Sequence, residues 1–161
     1  MSDDRDIRVT IDVQASPEVI WPLVADPAGM GRWSSETTGA QWKDGATGPA
    51  AGARFAGRNR NGWRRWSADG TITTYETNRL VEWDMTFYGF KICRWSYLIE
   101  PITGGTSRVT EIWQDHRNAF LRWPVPGYII TGQKDRPAAN RAAMESTLAQ
   151  IKTAAEAGGH P

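Results

Sequence analysis

Cysteine is almost missing from this chain: Cys93 is the single one in 161 residues. No internal disulfide framework can form, so a reducing interior suits the protein and the cytoplasm is its expected location. Histidine is nearly as scarce, with His116 and His160 only. Spaced His and Cys ligands for a zinc site are therefore lacking, and neither a metal nor a cofactor is expected. The chain contains no nucleophile elbow, phosphate loop or dinucleotide fingerprint. Its apolar runs are all short of what a bilayer-spanning helix needs, so no integral membrane contact is expected. The opening Met1-Ser2-Asp3-Asp4-Arg5-Asp6 is charged and has no apolar core of a secretory signal. An excess of one charge is missing too. Nineteen Lys and Arg against eighteen Asp and Glu leave +1, which gives no general pull toward nucleic acid or an anionic membrane.

What the chain has in quantity is tryptophan, nine of them, at 21, 33, 42, 63, 66, 83, 95, 113 and 123. So many broad apolar rings in a chain of one-domain length either make a dense core or line a cavity. Their positions in the local pattern have to decide. Residues 7–14 alternate, with Ile7, Val9, Ile11 and Val13 on one face, which is the mark of a half-buried strand. Ser16-Pro17 then offers a helix cap and a first-turn proline, and a short helix follows to about Ala25. Asp26-Pro27 breaks it and begins a second helical turn reaching Arg32. One poorly alternating strand lies within 33–43, and the small, turn-rich stretch 44–52 is a loop.

Five further strands follow, over about 53–60, 63–76, 80–87, 91–100 and 106–116. Asn61-Gly62 is the strongest hairpin signal, Tyr88-Gly89 and Gly104-Gly105 are further turns, and Thr77-Asn78-Arg79 is another. The inward faces read Trp66, Ala68, Ile72 and Thr74; Val81, Trp83, Met85 and Phe87; Cys93, Trp95, Tyr97 and Ile99. In the last strand Val109, Glu111 and Trp113 share one face and Thr110, Ile112 and Gln114 the other, and the pattern does not choose between them. A connecting stretch, 117–132, is rich in apolar residues and interrupted by Pro124, Pro126 and Gly127. Residues 134–156 form a helix of some 30 Å, with Met144, Leu148, Ile151 and Ala155 as its stripe and Asn140 near one end. A Gly-rich tail from about 157 is expected to be disordered. The class is α+β: a curved, seven-stranded antiparallel sheet wrapped around a long C-terminal helix, with two short N-terminal helices. One domain, as a monomer or weak homodimer, is expected.

Several segments in order resemble the SRPBCC superfamily, also called START or Bet v 1-like, in its polyketide cyclase/dehydrase branch. They are Ala15-Ser16-Pro17-Glu18-Val19-Ile20-Trp21, then Gly52-Ala53-Arg54-Phe55-Ala56-Gly57-Arg58-Asn59 with Trp66. Arg94-Trp95-Ser96-Tyr97 and Val109-Thr110-Glu111 follow, and the closing 131–152 completes the series. The resemblance spans nearly the whole chain and implies a helix-grip fold with a cavity between sheet and last helix. It implies no single activity, because such folds serve carriers, receptors and cyclases alike.

A pocket in that fold is expected to be lined by Phe55, Asn59, Trp66, Ile72, Trp83, Met85, Phe87, Trp95, Tyr97, Trp113, Met144 and Leu148. Phe120, Trp123 and Tyr128 in the proline-broken stretch are expected to form a lid or entrance wall, although they also suit a partner surface or plain packing. The expected partner is a hydrophobic small molecule, lipid, polyketide-like or aromatic. The basic and aromatic run 58–66 reads as an outward hairpin whose arginines stay in water, and no nucleic acid is expected. If the protein is an enzyme, a cyclase, aromatase or dehydratase working by proton transfer, the candidates are Glu111, His116 and Tyr97. A carboxyl in an apolar pocket can keep its proton near neutrality. The alternative is that Glu111 pairs with an arginine such as Arg54 or Arg94, or faces solvent.

Overall fold

A computed structural model describes residues 5–158. The elements run β1 (Asp6–Val13), α1 (Pro17–Val24), a 3-10 turn (Pro27–Arg32), β2 (Thr37–Trp42), β3 (Arg54–Asn61), β4 (Arg64–Glu76), β5 (Leu80–Phe87) and β6 (Phe90–Pro101). A second 3-10 turn (Thr103–Gly105), β7 (Ser107–Asp115), α2 (Pro124–Thr131) and α3 (Arg136–Gly158) complete the chain. The seven strands form one antiparallel sheet in the order β1-β7-β6-β5-β4-β3-β2, and α3 packs on it against β1, β7 and α1. The alternating faces of β1 and β5 account for this directly: β1 turns Ile7, Val9, Ile11 and Val13 inward between exposed polar residues, and β5 buries Val81, Trp83 and Met85 between half-buried ones.

Four local details depart from the sequence reading. The β3–β4 hairpin turns one residue later than Asn61-Gly62, because Asn61 pairs with Arg64 and the loop is Gly62-Trp63. Gly62, at φ +59°, takes the left-handed first position that a two-residue turn with glycine there uses, and this leaves Trp63 at the tip. In β4 the register shifts between Ile72 and Thr74, so Tyr75, in place of the expected Thr74, turns inward and meets Trp21 edge-on at 5.1 Å. A second shift, between Met85–Cys93 and Thr86–Lys91, makes Ile92 the extra residue of β6. Finally, the expected proline-broken connection holds a helix, α2, since Pro124 in its first turn costs no hydrogen bond and Gly132, at φ +75°, ends it. The expected disordered tail is still helical at 157 and 158; the rest of it, His160 included, lies outside the described residues.

The interior has two unlike halves. At one end Ile72, Val81, Ile99 and Val109 from the sheet meet Ile20, Val24, Leu148 and Ile151, all at most 1% exposed. That end is solid. At the other, where the β3–β4 and β5–β6 turns and the end of β7 lie, the inward residues are Phe55, Ala68, Trp83, Met85, Cys93, Tyr97 and Glu111, facing the first half of α3. Here the bulky rings prop the layers apart.

Candidate functional site

Two adjoining chambers occupy the hollow end. The inner one, about 140 Å³, lies between Phe55, Ala68, Trp83, Met85, Tyr97 and Glu111 on the sheet and Asn140 and Met144 on α3. That is close to the size of an apolar cavity that accepts one benzene ring. The outer one, about 380 Å³, lies between Phe87, Ile92, Trp113, Trp123, Ile130 and the start of α3. Trp66, Ile92, Cys93, Trp95 and Arg136 border both, so they form the partition.

The polar groups of the inner chamber come from three elements. Cross-strand pairing sets Tyr97 opposite Glu111, and the Tyr97 hydroxyl donates to Glu111 Oε1 at 2.7 Å. Glu111 Oε2 is buried with no partner, and so is Asn140 Nδ2. Burial pushes the Glu111 carboxyl up to about 8, against a smaller downward pull from the Tyr97 hydrogen bond. Around neutrality the carboxyl therefore holds its proton, leaving Oε1 to accept from Tyr97. Burial, and then the neighbouring Glu111, push the Tyr97 phenol well above its ordinary range, so it stays a donor. Burial likewise pushes the Cys93 thiol up to about 11, which keeps it a thiol and no nucleophile.

The charged residues near the site are paired elsewhere. Arg94 holds Asp84 at 2.6 and 3.1 Å, and Arg54 holds Asp44 at 2.7 Å, so neither arginine reaches Glu111. Asp115, although burial opposes its charge, is kept ionised by Arg117 at 2.8 and 2.7 Å. Arg136 makes a two-pronged bond to Glu36 at 2.8 and 2.7 Å. Among the described residues no group of three or more His, Cys, Asp or Glu is arranged to hold a metal ion, and no helix is long and apolar enough to cross a membrane.

Of the residues singled out in the sequence, Phe55, Asn59, Trp66, Trp83, Met85, Trp95, Tyr97, Glu111 and Met144 line the inner chamber. Phe87, Trp113 and Trp123 line the outer one, with Trp66 and Trp95 on the partition. Ile72 and Leu148 do not belong with them: they are wedged into the solid end of the core. His116 also stands apart. It is exposed just past β7, bonded through its backbone amide to Ile92, and borders neither chamber. It cannot share a proton transfer there with Glu111. Phe120 and Tyr128 point outward as well, and of the three expected lid residues only Trp123 borders a chamber.

Sequence reasoning left out Asn140, Arg136, Glu36, Ile92 and Cys93 as site residues. Asn140 did carry a signal, being a polar residue four positions before Met144 on an otherwise apolar helical stripe. Ile92 carried none, because its inward turn comes from the bulge.

The family model described as polyketide cyclase / dehydrase and lipid transport matches residues 4–156. No curated protein matches the chain. Among solved structures, a polyketide-cyclase-like protein from Corynebacterium glutamicum is 25% identical, with 97% of this chain and 91% of that one covered at a TM-score of 0.59. A protein from Chromobacterium violaceum, 11% identical, superposes at 0.67 over 94% of this chain and 98% of its own. The major latex-like protein 151 of Panax ginseng, 13% identical, does so at 0.60 over 97% of each. The last two likenesses concern the fold alone.

Proposed function

The chain belongs to the polyketide cyclase / dehydrase and lipid transport family, within the SRPBCC superfamily, and from that premise we propose that it binds and carries a hydrophobic, ring-bearing small molecule in the paired chambers. The observation that carries this reading is the coincidence of an aromatic-walled void with two buried polar atoms, Glu111 Oε2 and Asn140 Nδ2, that no protein group satisfies. A buried polar atom without a partner costs about 1–3 kcal/mol. A ligand that supplies the partner recovers that cost, and this is a reason for such atoms to sit in a cavity wall. Both atoms are donors when Glu111 is protonated, so the favoured cargo has a neutral acceptor, such as a ring ketone, at its buried end. A carboxylate of the same shape would find the one cation of the inner lining, Arg136, already held by Glu36, and would enter unpaired at a large desolvation cost. The body of the molecule would extend past Trp66 and Trp95 into the outer chamber, each buried methylene adding about 0.8 kcal/mol.

The test is titration of tryptophan fluorescence with 2-acetylnaphthalene against 2-naphthoate, beside native mass spectrometry of protein purified under mild conditions. Saturable quenching by the ketone, and much weaker quenching by the acid, is the expected outcome. No quenching by either, and no co-purifying apolar molecule, would sink the carrier reading.

One observation favours a second reading, an enzyme of the cyclase, aromatase or dehydratase type. Glu111, held protonated to about pH 8 beside Tyr97, suits a general acid that donates to a ketone oxygen and polarises the carbonyl. In that reading Glu111→Gln abolishes turnover of a polyketide-like substrate while the ketone still binds.

A further inference from the structure

The net charge of +1 conceals a sharp separation. Three segments, 58–66, 86–92 and 116–134, contain Arg58, Arg60, Arg64, Arg65, Lys91, Arg117, Arg122 and Lys134 and not one Asp or Glu. The rest of the chain then holds eleven basic against eighteen acidic residues, a net −7. These same segments hold Trp63, Tyr88, Phe90, Phe120, Trp123, Tyr128 and Ile129, which are all but Ile102 of the large hydrophobic residues that stand exposed among the described residues. The two properties coincide in sequence, and the fold brings the segments together. The β3–β4 turn, the β5–β6 turn and the chain leaving β7 all lie at one end of an antiparallel sheet. Asn61 donates to the Thr131 carbonyl at 2.7 Å and Arg64 to that of Ile129 at 3.3 Å, which fastens α2 to the first turn. Trp63, Arg64, Arg65, Phe87, Tyr88 and Ile129 line a single surface groove.

We propose that this end of the molecule docks on a bilayer surface containing anionic phospholipid, with the outer chamber opening toward the lipid. The charge fits: Arg58, Arg60, Arg65 and Lys91 are exposed and make no ion pair among the described residues, so their side chains are open to headgroups. The aromatic part fits as well. Trp63 is 81% exposed and Tyr88 88%, each at the tip of a two-residue turn, where a ring with an apolar body and a polar edge can enter the headgroup layer. Each ring keeps one neighbour, Phe87 for Tyr88 and Arg64 for Trp63, and leaves most of its surface in water. A positive φ of 48° at Tyr88, a backbone state unfavourable for a large side chain, places that ring outward all the same. Arg64 stacks over Trp63 at 4.5 Å and over Tyr128 at 5.6 Å, so charge and ring are presented together. Nucleic acid also attracts cations and rings. The bilayer is favoured because Trp123 belongs both to the exposed set and to the outer-chamber wall, which makes the patch the rim of an apolar cavity. A lipid phase is at once an anionic surface and a reservoir of apolar cargo.

The test is co-sedimentation of the whole protein with vesicles of phosphatidylcholine alone and with added phosphatidylglycerol, at low and high salt. The expected result is salt-sensitive binding to the anionic vesicles, with a blue shift of tryptophan emission. The Arg60→Glu/Arg65→Glu variant should bind at least about thirtyfold more weakly, since each of the two cations near such a surface contributes about 1 kcal/mol. The Trp63→Ser/Tyr88→Ser variant should lose the blue shift. None of these four side chains lines either chamber, so both variants should keep the wild-type melting temperature and 2-acetylnaphthalene quenching. Failure of docking is in this way separable from failure of cargo binding. The proposal is overturned if the anionic vesicles are not bound, if either variant binds them like wild type, or if a single-stranded oligonucleotide is bound more tightly than they are.

Discussion

Tyr97 and Glu111 stand directly opposite one another on β6 and β7, and the phenol donates to the carboxyl at 2.7 Å inside the inner chamber. The pair gives the fold a pH dependence above the ordinary glutamate range. Folding raises Glu111 from its ordinary 4.5 to about 8, so between those values the folded chain keeps a proton that the unfolded chain has released. Stability must then fall as pH rises through that window and level off above it. Glu111→Gln keeps a neutral side chain of the same shape and removes the titration. Urea denaturation at pH 5 and pH 8 should show the wild type losing on the order of a few kcal/mol that the variant retains. Equal losses in both proteins would mean that Glu111 is not the titrating group.

Tyr97→Phe should move Glu111 the other way from what loss of a neighbouring acid suggests. The tyrosine hydrogen bond is the one influence that pulls the carboxyl down, so its removal should carry Glu111 above 8. The variant also leaves Oε1 as partnerless as Oε2, at a cost of about 1–3 kcal/mol. A carbon-13 titration of the glutamate carboxyls, with Glu111 assigned by its loss in Glu111→Gln, reads the first effect. Thermal melting reads the second.

Two glycines on neighbouring strands make a matched pair. A Cβ built on Gly70 would lie 2.1 Å from the Phe55 ring, whereas on Gly57 its nearest contacts, at 3.5 and 3.6 Å, are of ordinary length. Gly70→Ala should therefore force Phe55, a wall of the inner chamber, off its position and cost about 1–3 kcal/mol. Gly57→Ala should stay within about 1 kcal/mol of wild type, as glycine in a strand is no asset. The two melting temperatures check this, and a Gly70→Ala protein as stable as Gly57→Ala would contradict the packing described here.

Much of this architecture is written plainly in the sequence. Clean alternation in β1 and β5, turn residues at Gly62, Gly89 and Gly104, and the stripe Met144, Leu148, Ile151, Ala155 give the sheet and its helix. The site was less legible, and for identifiable reasons. Period-two reading assumes an unbroken ladder, so the shifts at Thr73 and Ile92 misplace Tyr75 and Ile92. Periodicity shows which face a residue takes but not whether that face is filled: Ile72 and Trp66 share a face, one in solid core and one beside a void. The nine tryptophans divide the same way. Trp21 and Trp33 pack the core, Trp66, Trp83 and Trp95 border the inner chamber, and Trp63 caps a turn in solvent. Net charge is silent for a related reason, since a sum over the chain carries no information about where the charges lie.

Arg136 and Glu36 form the remaining contact with a consequence for cargo. Arg136 is the first residue of α3 and borders both chambers, while Glu36 lies on the segment leading into β2 and borders the inner one. Their two-pronged bond, with both side chains about a fifth to a quarter exposed, ties the start of the helix to the far edge of the sheet across the hollow end. A pair in that position restrains the opening of the layers more than it holds the fold, because the solid core lies at the other end. Glu36→Gln and Arg136→Gln should thus each speed release of 2-acetylnaphthalene, by roughly fivefold for a pair contributing about 1 kcal/mol. The double variant should be no faster than either single one, since each substitution already breaks the same restraint. Stopped-flow fluorescence measures all three rates. If release is unchanged in both single variants, or if the double variant multiplies their effects, the two residues do not act as one fastening.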